Sequence, residues 1–380
     1  MKRSRIISML CAMLCAISFF SSLFSVSALE KSKNEYDKSI NYIDEYLLDA
    51  GYPEDIITSL DEGIKLDFYN DKCSYQSSET TYGIFTEDYH IEYTLNKDGV
   101  ISIDNESISQ LNQLRNRPDV ITKILYMNKV SNDISTSSSM VNISAIENSE
   151  PITGKATSNT SISSGDDYEQ SIQNFQSEHM NMINSLQQQS NDIVLLTLTN
   201  WKAYLICSHI SHSNNYLRKK LTYSWDWTYD PIVTDVDKVA MAWSKDFNSQ
   251  PSTVKWTYTM QGKANDGRTN AYTYSDNSYD EYVPGCGVGK NIDIHDWFEW
   301  DDTPRYYIYK HSGTLSTEIT KYFYGVNDEG SAVGRYYHHT LNFSGGTLGF
   351  SSAPAITMSA GFGSVYDPSP DTGCVFKFYK

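Results

Sequence analysis

The C-terminal half of the chain, residues 192–380, is dominated by short runs in which β-branched or aromatic residues alternate with small polar ones. The stretch 221–259 shows this best, because it holds four of the seven tryptophans: Trp225, Trp227, Trp243 and Trp256. Alternation with a period of two is typical of strands with one buried face, and large aromatic side chains supply much of the packing in such a sheet. The pattern predicts a mainly β fold in which residues 192–380 form an antiparallel β-sandwich or barrel.

The residues before this region mix helical and strand-like patterns. We predict a small α+β domain over 29–130, a Ser/Thr/Asn-rich linker over 131–167, and an amphipathic helix over 168–191. The linker is poor in apolar residues and can bury little surface. Within the α+β domain we expect helices over 35–50, 53–63 and 106–130 (broken at Pro118), strands over 64–69 and 82–95, and a hairpin turn at 96–99.

Residues 1–28 have the pattern of a secretory signal peptide. Lys2, Arg3 and Arg5 precede an apolar run over residues 6–26, and the small residues at 26–28 form a cleavage pattern. The same run is about long enough for an uncleaved membrane anchor, which is the alternative. We therefore expect a secreted, extracellular or cell-wall-associated protein.

The strongly acidic composition limits the partners of the chain. Loss of the three basic residues in 1–28, where there is no acidic residue, changes the formal charge from −17 to −20. Such a polyanion is repelled by nucleic acid and by anionic membrane surfaces. No nucleic-acid partner is expected.

Export also favours disulfide bonds. Beyond the signal peptide the cysteines are Cys73, Cys207, Cys286 and Cys374, which allow three pairings. We predict a bridge between Cys286 and Cys374, because both lie in Gly-rich turn contexts. Cys73 and Cys207 are treated as candidate buried thiols, and the lack of a Cys-x-x-Cys pair argues against a structural zinc site.

The segment 291–305 contains the densest set of ionisable groups beside aromatic rings. Paired carboxylates near rings are what glycoside hydrolases use, and the rings themselves can stack on sugars. A solvated acidic loop gives the same pattern, so no catalytic residue is assigned. The candidate binding residues, together with two tryptophans of the central stretch, are Trp297, Glu299, Trp300, Asp301, Trp225 and Trp227.

Two acidic groups supply the oxygen ligands that Ca²⁺ favours. They are centred on Asp235 with Asp237, and on Asp276 with Asp280. Neither matches the spacing of an EF-hand loop. Calcium is the one cofactor that the composition suggests.

No motif identifies an enzyme. A Gly-x-Ser-x-Gly elbow, an HExxH helix, a phosphate loop and a dinucleotide fingerprint are all missing from the sequence. The clustered histidines, His209 with His212 and His338 with His339, point to opposite faces of a strand and do not converge on a metal. We lean towards a non-catalytic protein.

The tail 345–367 contains a clean alternation of apolar and small polar residues. Inserting strands of β-pore-forming toxins alternate in this way and are rich in Ser and Thr, as residues 140–146 also are. A half-buried sandwich strand gives the same pattern. The alternating residues are Ile356, Met358, Ala360 and Phe362 against Thr357, Ser359, Gly361 and Gly363.

The layout resembles that of uncharacterised secreted proteins of Gram-positive, Bacillus- or Clostridium-like bacteria. The resemblance rests on the basic signal segment, GYPEDII after the first helix, the YSWDWTYDP and DKVAMAW runs, and the Gly/Ser-alternating tail. It carries over no functional residue. The sequence favours a binding module for a cell-wall or surface glycan, or for a protein; the alternative is a pore-forming or membrane-damaging protein, and the third is an acid/base glycan hydrolase.

Overall fold

The structure, a computed structural model, describes residues 42–86, 88–95, 99–136, 152–154, 165–210, 216–228, 236–244, 247–300, 304–322, 328–339, 346–351, 354–360, 366–368 and 372–378. The helices are α1 (residues 42–49), α2 (Glu54–Ser59), α3 (Glu62–Asn70), α4 (Asn105–Leu114), α5 (Pro118–Thr136), α6 (Gly165–Leu186) and α7 (Asn191–Leu198). Each helix in these ranges is too short or too polar to cross a bilayer. The chain divides into two compact units, Met1–Tyr75 and Gln76–Lys380.

The strands are β1 (Cys73–Phe85), β2 (His90–Leu95), β3 (Ile101–Ile103), β4 (Ile152–Gly154), β5 (Trp201–Ile210), β6 (Tyr216–Trp227), β7 (Val236–Trp243), β8 (Asn248–Ser249), β9 (Lys255–Ala264), β10 (Thr269–Asp276), β11 (Glu281–Val283), β12 (Gly287–Asp293), β13 (Trp297–Glu299), β14 (Tyr306–Tyr322), β15 (Asp328–His339), β16 (Gly346–Ser351), β17 (Ala355–Ala360), β18 (Tyr366–Pro368) and β19 (Thr372–Phe378).

Helix α3 in the first unit corrects a prediction. Residues 64–69 were expected to form a strand, but they are helical. The Asp61 side chain accepts a hydrogen bond from the Gly63 amide at 2.7 Å and so caps the helix start. Ile64 and Phe68, four residues apart, are buried on one helical face. The cap and this spacing together favour a helix over a strand.

The start of the second unit matches the predicted pattern more closely. The hairpin of β2 and β3 is confirmed, and so is the break before Pro118, where α4 ends and α5 begins. The α5 helix continues to Thr136 and β4 lies at Ile152–Gly154, so parts of the predicted linker are ordered. Helices α4 to α7 pack against β1 and β2 through a core that includes Ile84 and Ile91.

Helix α7 is a second correction, because the antiparallel β-domain was expected to begin at residue 192. Ser190 has the extended backbone of an N-cap residue, and Asp192 lies in the first turn, where the helix dipole favours a negative charge. Val194, Leu195 and Leu198 are buried. Their i, i+1, i+4 spacing matches a helix, which a short apolar run does not reveal by itself.

Two large antiparallel sheets form the rest of the second unit, which confirms the mainly β prediction. The first sheet has the order β10-β9-β14-β6-β5-β1-β2-β3, with β4, β8 and β13 attached to it. The second has the order β11-β12-β7-β15-β18, with β19 beside β15. The described strands form open sheets that face one another as a sandwich, and no closed barrel is found among them.

The core between the sheets is aromatic. Trp225, Tyr223 and Tyr258 of the first sheet pack with Trp243 and Tyr336 of the second, and all five are essentially inaccessible to solvent. Glycines make room for these rings. A Cβ atom at Gly313 of β14 would lie 2.2 Å from Cζ2 of Trp225, and one at Gly334 of β15 would lie 2.2 Å from Cδ2 of Tyr223.

This packing predicts the effect of a single methyl group. Gly313→Ala is expected to lower the free energy of unfolding by about 1–3 kcal/mol, because the buried indole has no free space into which to move. Urea denaturation followed by circular dichroism measures the change. The control is Gly373→Ala on β19, where a Cβ atom would meet its neighbours only at 3.5 Å or more. Equal stability of both variants would contradict the packing argument.

Candidate functional site

The surface hairpin, formed by β16 and β17, is the first unusual feature of the second unit. The two strands pair so that Leu348 lies opposite Met358 and Phe350 opposite Ile356. Leu348 and Ile356 are buried against Ala240 and Ala242 of β7, and Phe350 packs beside them. The hairpin therefore covers the face of the second sheet that points away from the first sheet.

Small residues in the second sheet allow this close approach. A Cβ atom at Gly287 of β12 would lie 2.2 Å from Cδ1 of Phe350, and one at Gly289 would lie 2.4 Å from Cδ1 of Leu348. The platform under the hairpin is thus shaped by glycine and alanine. Contact here is almost entirely van der Waals and apolar.

Two hydrogen bonds to one carbonyl oxygen supplement this apolar contact. Arg335 Nη1 donates to the Ile356 carbonyl oxygen at 3.2 Å, and the Tyr337 hydroxyl donates to the same oxygen at 3.3 Å. Both donors belong to β15. In sequence, residues 340–366 contain no Asp, Glu, Lys, Arg or His, so the hairpin itself brings no charge.

The inter-sheet polar cluster, formed by Asp237, Tyr336, His338, His311 and Tyr258, is the second unusual feature. The Asp237 carboxylate on β7 is fully buried. It accepts a hydrogen bond from the Tyr336 hydroxyl, and His338 Nδ1 lies 3.0 Å from Oδ2 and 3.1 Å from Oδ1. A buried carboxylate needs such partners, because its desolvation is otherwise very unfavourable.

His311 joins the cluster from β14 in the opposite sheet. Its Nδ1 lies 2.7 Å from the Tyr258 hydroxyl oxygen, and the ring is fully buried. Burial lowers the pKa of His311 from 6.5 to about 4; the charges of Asp237 and Asp296 act against this change, and His338 adds to it. At neutral pH the His311 ring is therefore uncharged. Burial, followed by the charge of Asp237, also raises the pKa of Tyr336 well above its usual value.

Strands β7 and β15 carry both features on opposite faces. Tyr336 and His338 point towards Asp237 between the sheets, while Arg335 and Tyr337 bind the surface hairpin. This follows from the two-residue alternation of a pleated strand. The buried cluster and the hairpin are consequently separated by the thickness of one sheet.

The predicted sugar contacts lie in packed surroundings. Trp225 and Trp227 are 0% and 3% exposed, so the expectation that they form a binding surface is wrong. Trp300 is also buried and packs edge-on against Phe298. Trp297 has the Arg305 guanidinium 3.8 Å from its ring centre.

The same arginine engages the candidate acid. Arg305 Nε lies 3.3 Å from Oε2 of Glu299, which forms an ion pair rather than a carboxylate pair for glycoside hydrolysis. Asp301 lies outside the described residues. This segment gives no support to the hydrolase hypothesis.

The predicted calcium ligands are not assembled into a site within the described ranges. Asp237 is the buried centre of the polar cluster, and Asp235 lies outside the described residues. Asp276 Oδ1 accepts the Asn277 amide at 2.6 Å, and Asp280 Oδ2 accepts the Asn291 amide at 2.7 Å. Among the residues described, no group of three or more His, Cys, Asp or Glu is placed to hold a metal ion.

The predicted disulfide bond is not formed in the structure. Cys286 is a partly buried thiol, and Cys73 and Cys207 are buried cysteines; none of the three is in a disulfide bond, as expected for Cys73 and Cys207. Cys374 is paired by its backbone with Ala332 of β15 in the second sheet, and Cys286 lies in the turn between β11 and β12 of the same sheet.

Sequence reasoning overlooked His338 and His311. The pair His338-His339 was rejected as a metal site because neighbours on a strand diverge, and His311 lies in a run with no other marker. The one available signal was the position of His311 in a run that otherwise alternates like a strand and is rich in Thr.

Comparisons with known proteins give little guidance. No protein-family model and no curated protein matches the chain.

Among solved structures, a pore forming protein is 9% identical to this chain, with a TM-score of 0.21. The match covers 47% of this chain and 86% of the pore forming protein. AvmM, described as catalysing macrocyclization in alchivemycin A biosynthesis, is 9% identical over 46% and 89%, with a TM-score of 0.19. Clostridium perfringens delta-toxin is 7% identical over 47% and 83%, with a TM-score of 0.16. At these scores the similarities carry no argument.

The polar cluster makes its own prediction. Tyr336→Phe removes a donor from the buried Asp237 carboxylate, and the free energy of unfolding at pH 7 should fall by about 1–3 kcal/mol. Urea denaturation is the measurement. Tyr279→Phe, at an exposed tyrosine, is the matched control and should stay within about 0.5 kcal/mol of the wild type. A Tyr336→Phe variant as stable as the control would contradict the assigned hydrogen bond.

Proposed function

We propose that the protein is secreted and damages membranes by inserting the surface hairpin into the lipid bilayer. The observation that carries this proposal is the hairpin itself, which is uncharged, alternates apolar with small polar residues, and packs on the second sheet through one apolar face. Strands that cross membranes as β-hairpins alternate in this way.

Length supports the same conclusion. A membrane-spanning strand needs about 9–11 residues. The uncharged sequence on either side of the turn, residues 340–351 and 355–366, satisfies this in both arms. Charged side chains, which are unfavourable in hydrocarbon, begin only beyond these limits.

The hairpin is also held by contacts that lipid can replace. Leu348, Phe350 and Ile356 contact small apolar groups of the sheet. Lipid acyl chains are an equally apolar environment for these side chains. The backbone edges of a single hairpin would be unsatisfied in lipid. Insertion therefore requires several copies of the chain side by side, so that neighbouring hairpins pair.

Charge selects the kind of membrane. With a formal charge of −20 after loss of residues 1–28, the secreted chain is repelled by anionic surfaces. Zwitterionic phosphatidylcholine is the lipid on which activity is expected, and dye-loaded phosphatidylcholine vesicles are the direct test. Vesicles that stay intact under all conditions tried, including acid pH, would contradict the proposal.

A pair of adjacent substitutions tests which face of the hairpin meets lipid. Phe350→Lys places a charge on the packed, apolar face, whereas Ser351→Lys places it at an exposed position. Near the interface, where residues beside the turn lie, a lysine on the lipid face is unfavourable by up to about 1 kcal/mol per chain, and each copy in the assembly adds this cost. Dye release should therefore fall at least about fivefold in Phe350→Lys and much less in Ser351→Lys. Circular dichroism and thermal unfolding confirm that both variants are folded, and equal activity of the two would contradict hairpin insertion.

A second candidate function is binding to a cell-wall or surface glycan. It is favoured by Tyr216 and Tyr322, which are 53% and 40% exposed and form an edge-to-face pair 5.3 Å apart at paired ends of β6 and β14. Exposed tyrosines are enriched at binding surfaces. This surface could also direct the membrane-damaging protein to its target cell.

Sedimentation with isolated Gram-positive cell walls tests the second function. The wild type is expected to pellet in a saturable way and to be released by soluble glycan. The double variant Tyr216→Ala/Tyr322→Ala should lose at least about tenfold in affinity, as removal of an aromatic contact pair does at interfaces. Tyr279→Ala, at an exposed tyrosine elsewhere, is the control. Wild-type protein left in the supernatant would exclude this function.

A further inference from the structure

The polar cluster lies where the two sheets of the sandwich meet. His311 is on a strand of the first sheet, and the titratable groups around it come from both sheets. They are Tyr258 of β9, Asp237 of β7, Tyr336 and His338 of β15, and Asp296 ahead of β13. Protonation of any group in this cluster changes the charge at the contact between the sheets.

The mechanical link to the hairpin is short. Tyr336 and Tyr337 are neighbours in β15, yet the first binds Asp237 and the second binds the Ile356 carbonyl of the surface hairpin. Val239 and Ala240 of β7 divide in the same way between the sandwich core and the hairpin contact. A displacement of β7 and β15 from the first sheet therefore changes the platform of the hairpin.

We infer that the inter-sheet polar cluster is an acid sensor that opens the sandwich and releases the surface hairpin. The inference rests on the proposed function. It adds the condition, acid pH, under which the hairpin is released for insertion. At neutral pH His311 is uncharged and the sandwich is closed. In acid a proton binds to the buried ring, and separation of the sheets gives the charged ring access to water.

The sign of the effect follows from the direction of the pKa change. The pKa of His311 is about 4 in the closed protein and 6.5 for an ordinary histidine, so the open state binds protons more strongly. Stability that depends on the uncharged ring is fully present above pH 6.5 and is lost as the pH falls towards 4. Each unit by which the pH falls in this window raises the equilibrium constant for opening about tenfold, up to about 300-fold in total.

Opening is measured in solution, without membranes, by tryptophan fluorescence. Trp225 and Trp227 lie 5.6 and 5.9 Å from the Tyr336 ring, and Trp227 lies 5.5 Å from His338, so their emission reports water entering the contact. The full-length chain is titrated from pH 7.5 to 4. We expect a red shift with a midpoint inside this window.

Two variants, expected to shift the pH midpoint of opening in opposite directions, test whether His311 is the group that binds the proton. His311→Gln keeps a hydrogen-bonding group beside Tyr258 but binds no proton, so the midpoint should move to lower pH by about one unit. Asp237→Asn removes a negative charge that favours the protonated ring, so the midpoint should move to higher pH. If His311→Gln does not fold, Asp237→Asn still tests the sign. His179→Gln on α6, whose ring nitrogen binds the Phe175 carbonyl outside the cluster, is the control and should behave as wild type.

Dye release from phosphatidylcholine vesicles at pH 7.4 and 5.0 separates the two proposals. Release that rises about thirtyfold in acid for the wild type, and not for His311→Gln, is the expected result. Equal release at both pH values would overturn the acid sensor and leave hairpin insertion standing. Acid opening in solution without release at any pH would overturn hairpin insertion and leave the sensor. A wild type that shows no opening above pH 4, or a His311→Gln midpoint equal to that of the wild type, would overturn the sensor.

Discussion

The second unit depends on the burial of both faces of the pair β7 and β15. One face contributes Val239, Met241 and Tyr336 to the aromatic core, and the other carries the hairpin on Ala240 and Ala242. A strand buried on both faces must be apolar or small at nearly every position, and the run VAMAW of β7 satisfies this. Of the polar residues on these strands, Asp237, Tyr336 and His338 lie in the polar cluster and Arg335 and Tyr337 bind the hairpin. Lys238 instead binds Glu281 and Asn291.

The two faces have different physical character. The sandwich core is close-packed around large rings, with glycines such as Gly313 and Gly334 at the points of closest approach. Such packing tolerates little change of volume. The hairpin contact instead uses small residues of the second sheet, among them Ala240, Gly287 and Gly289.

Electrostatics links the buried cluster to the conditions around the molecule. The buried Asp237 carboxylate and the buried His311 ring are stable only in particular protonation states, since an unpaired buried charge is strongly unfavourable. The chain as a whole is acidic, whereas residues 340–366 contain no charged side chain. The chain thus combines an acidic composition, an uncharged hairpin, and a buried polar contact between the two sheets.

The sequence alone determined the mainly β class, the hairpin of β2 and β3, the helix break before Pro118 and the uncharged, alternating tail. Each of these features follows from local periodicity and from turn residues. It misassigned α3 and α7, where short apolar runs fit either a strand or a helix until a cap and a packing partner are known. The tertiary structure decided the rest. It buried Trp225 and Trp227, whose alternation could not say what would cover them, and it brought together Asp237, His311 and His338, which are far apart in the chain. Strand pairing over such separations depends on the register of whole sheets, and no local pattern encodes that register.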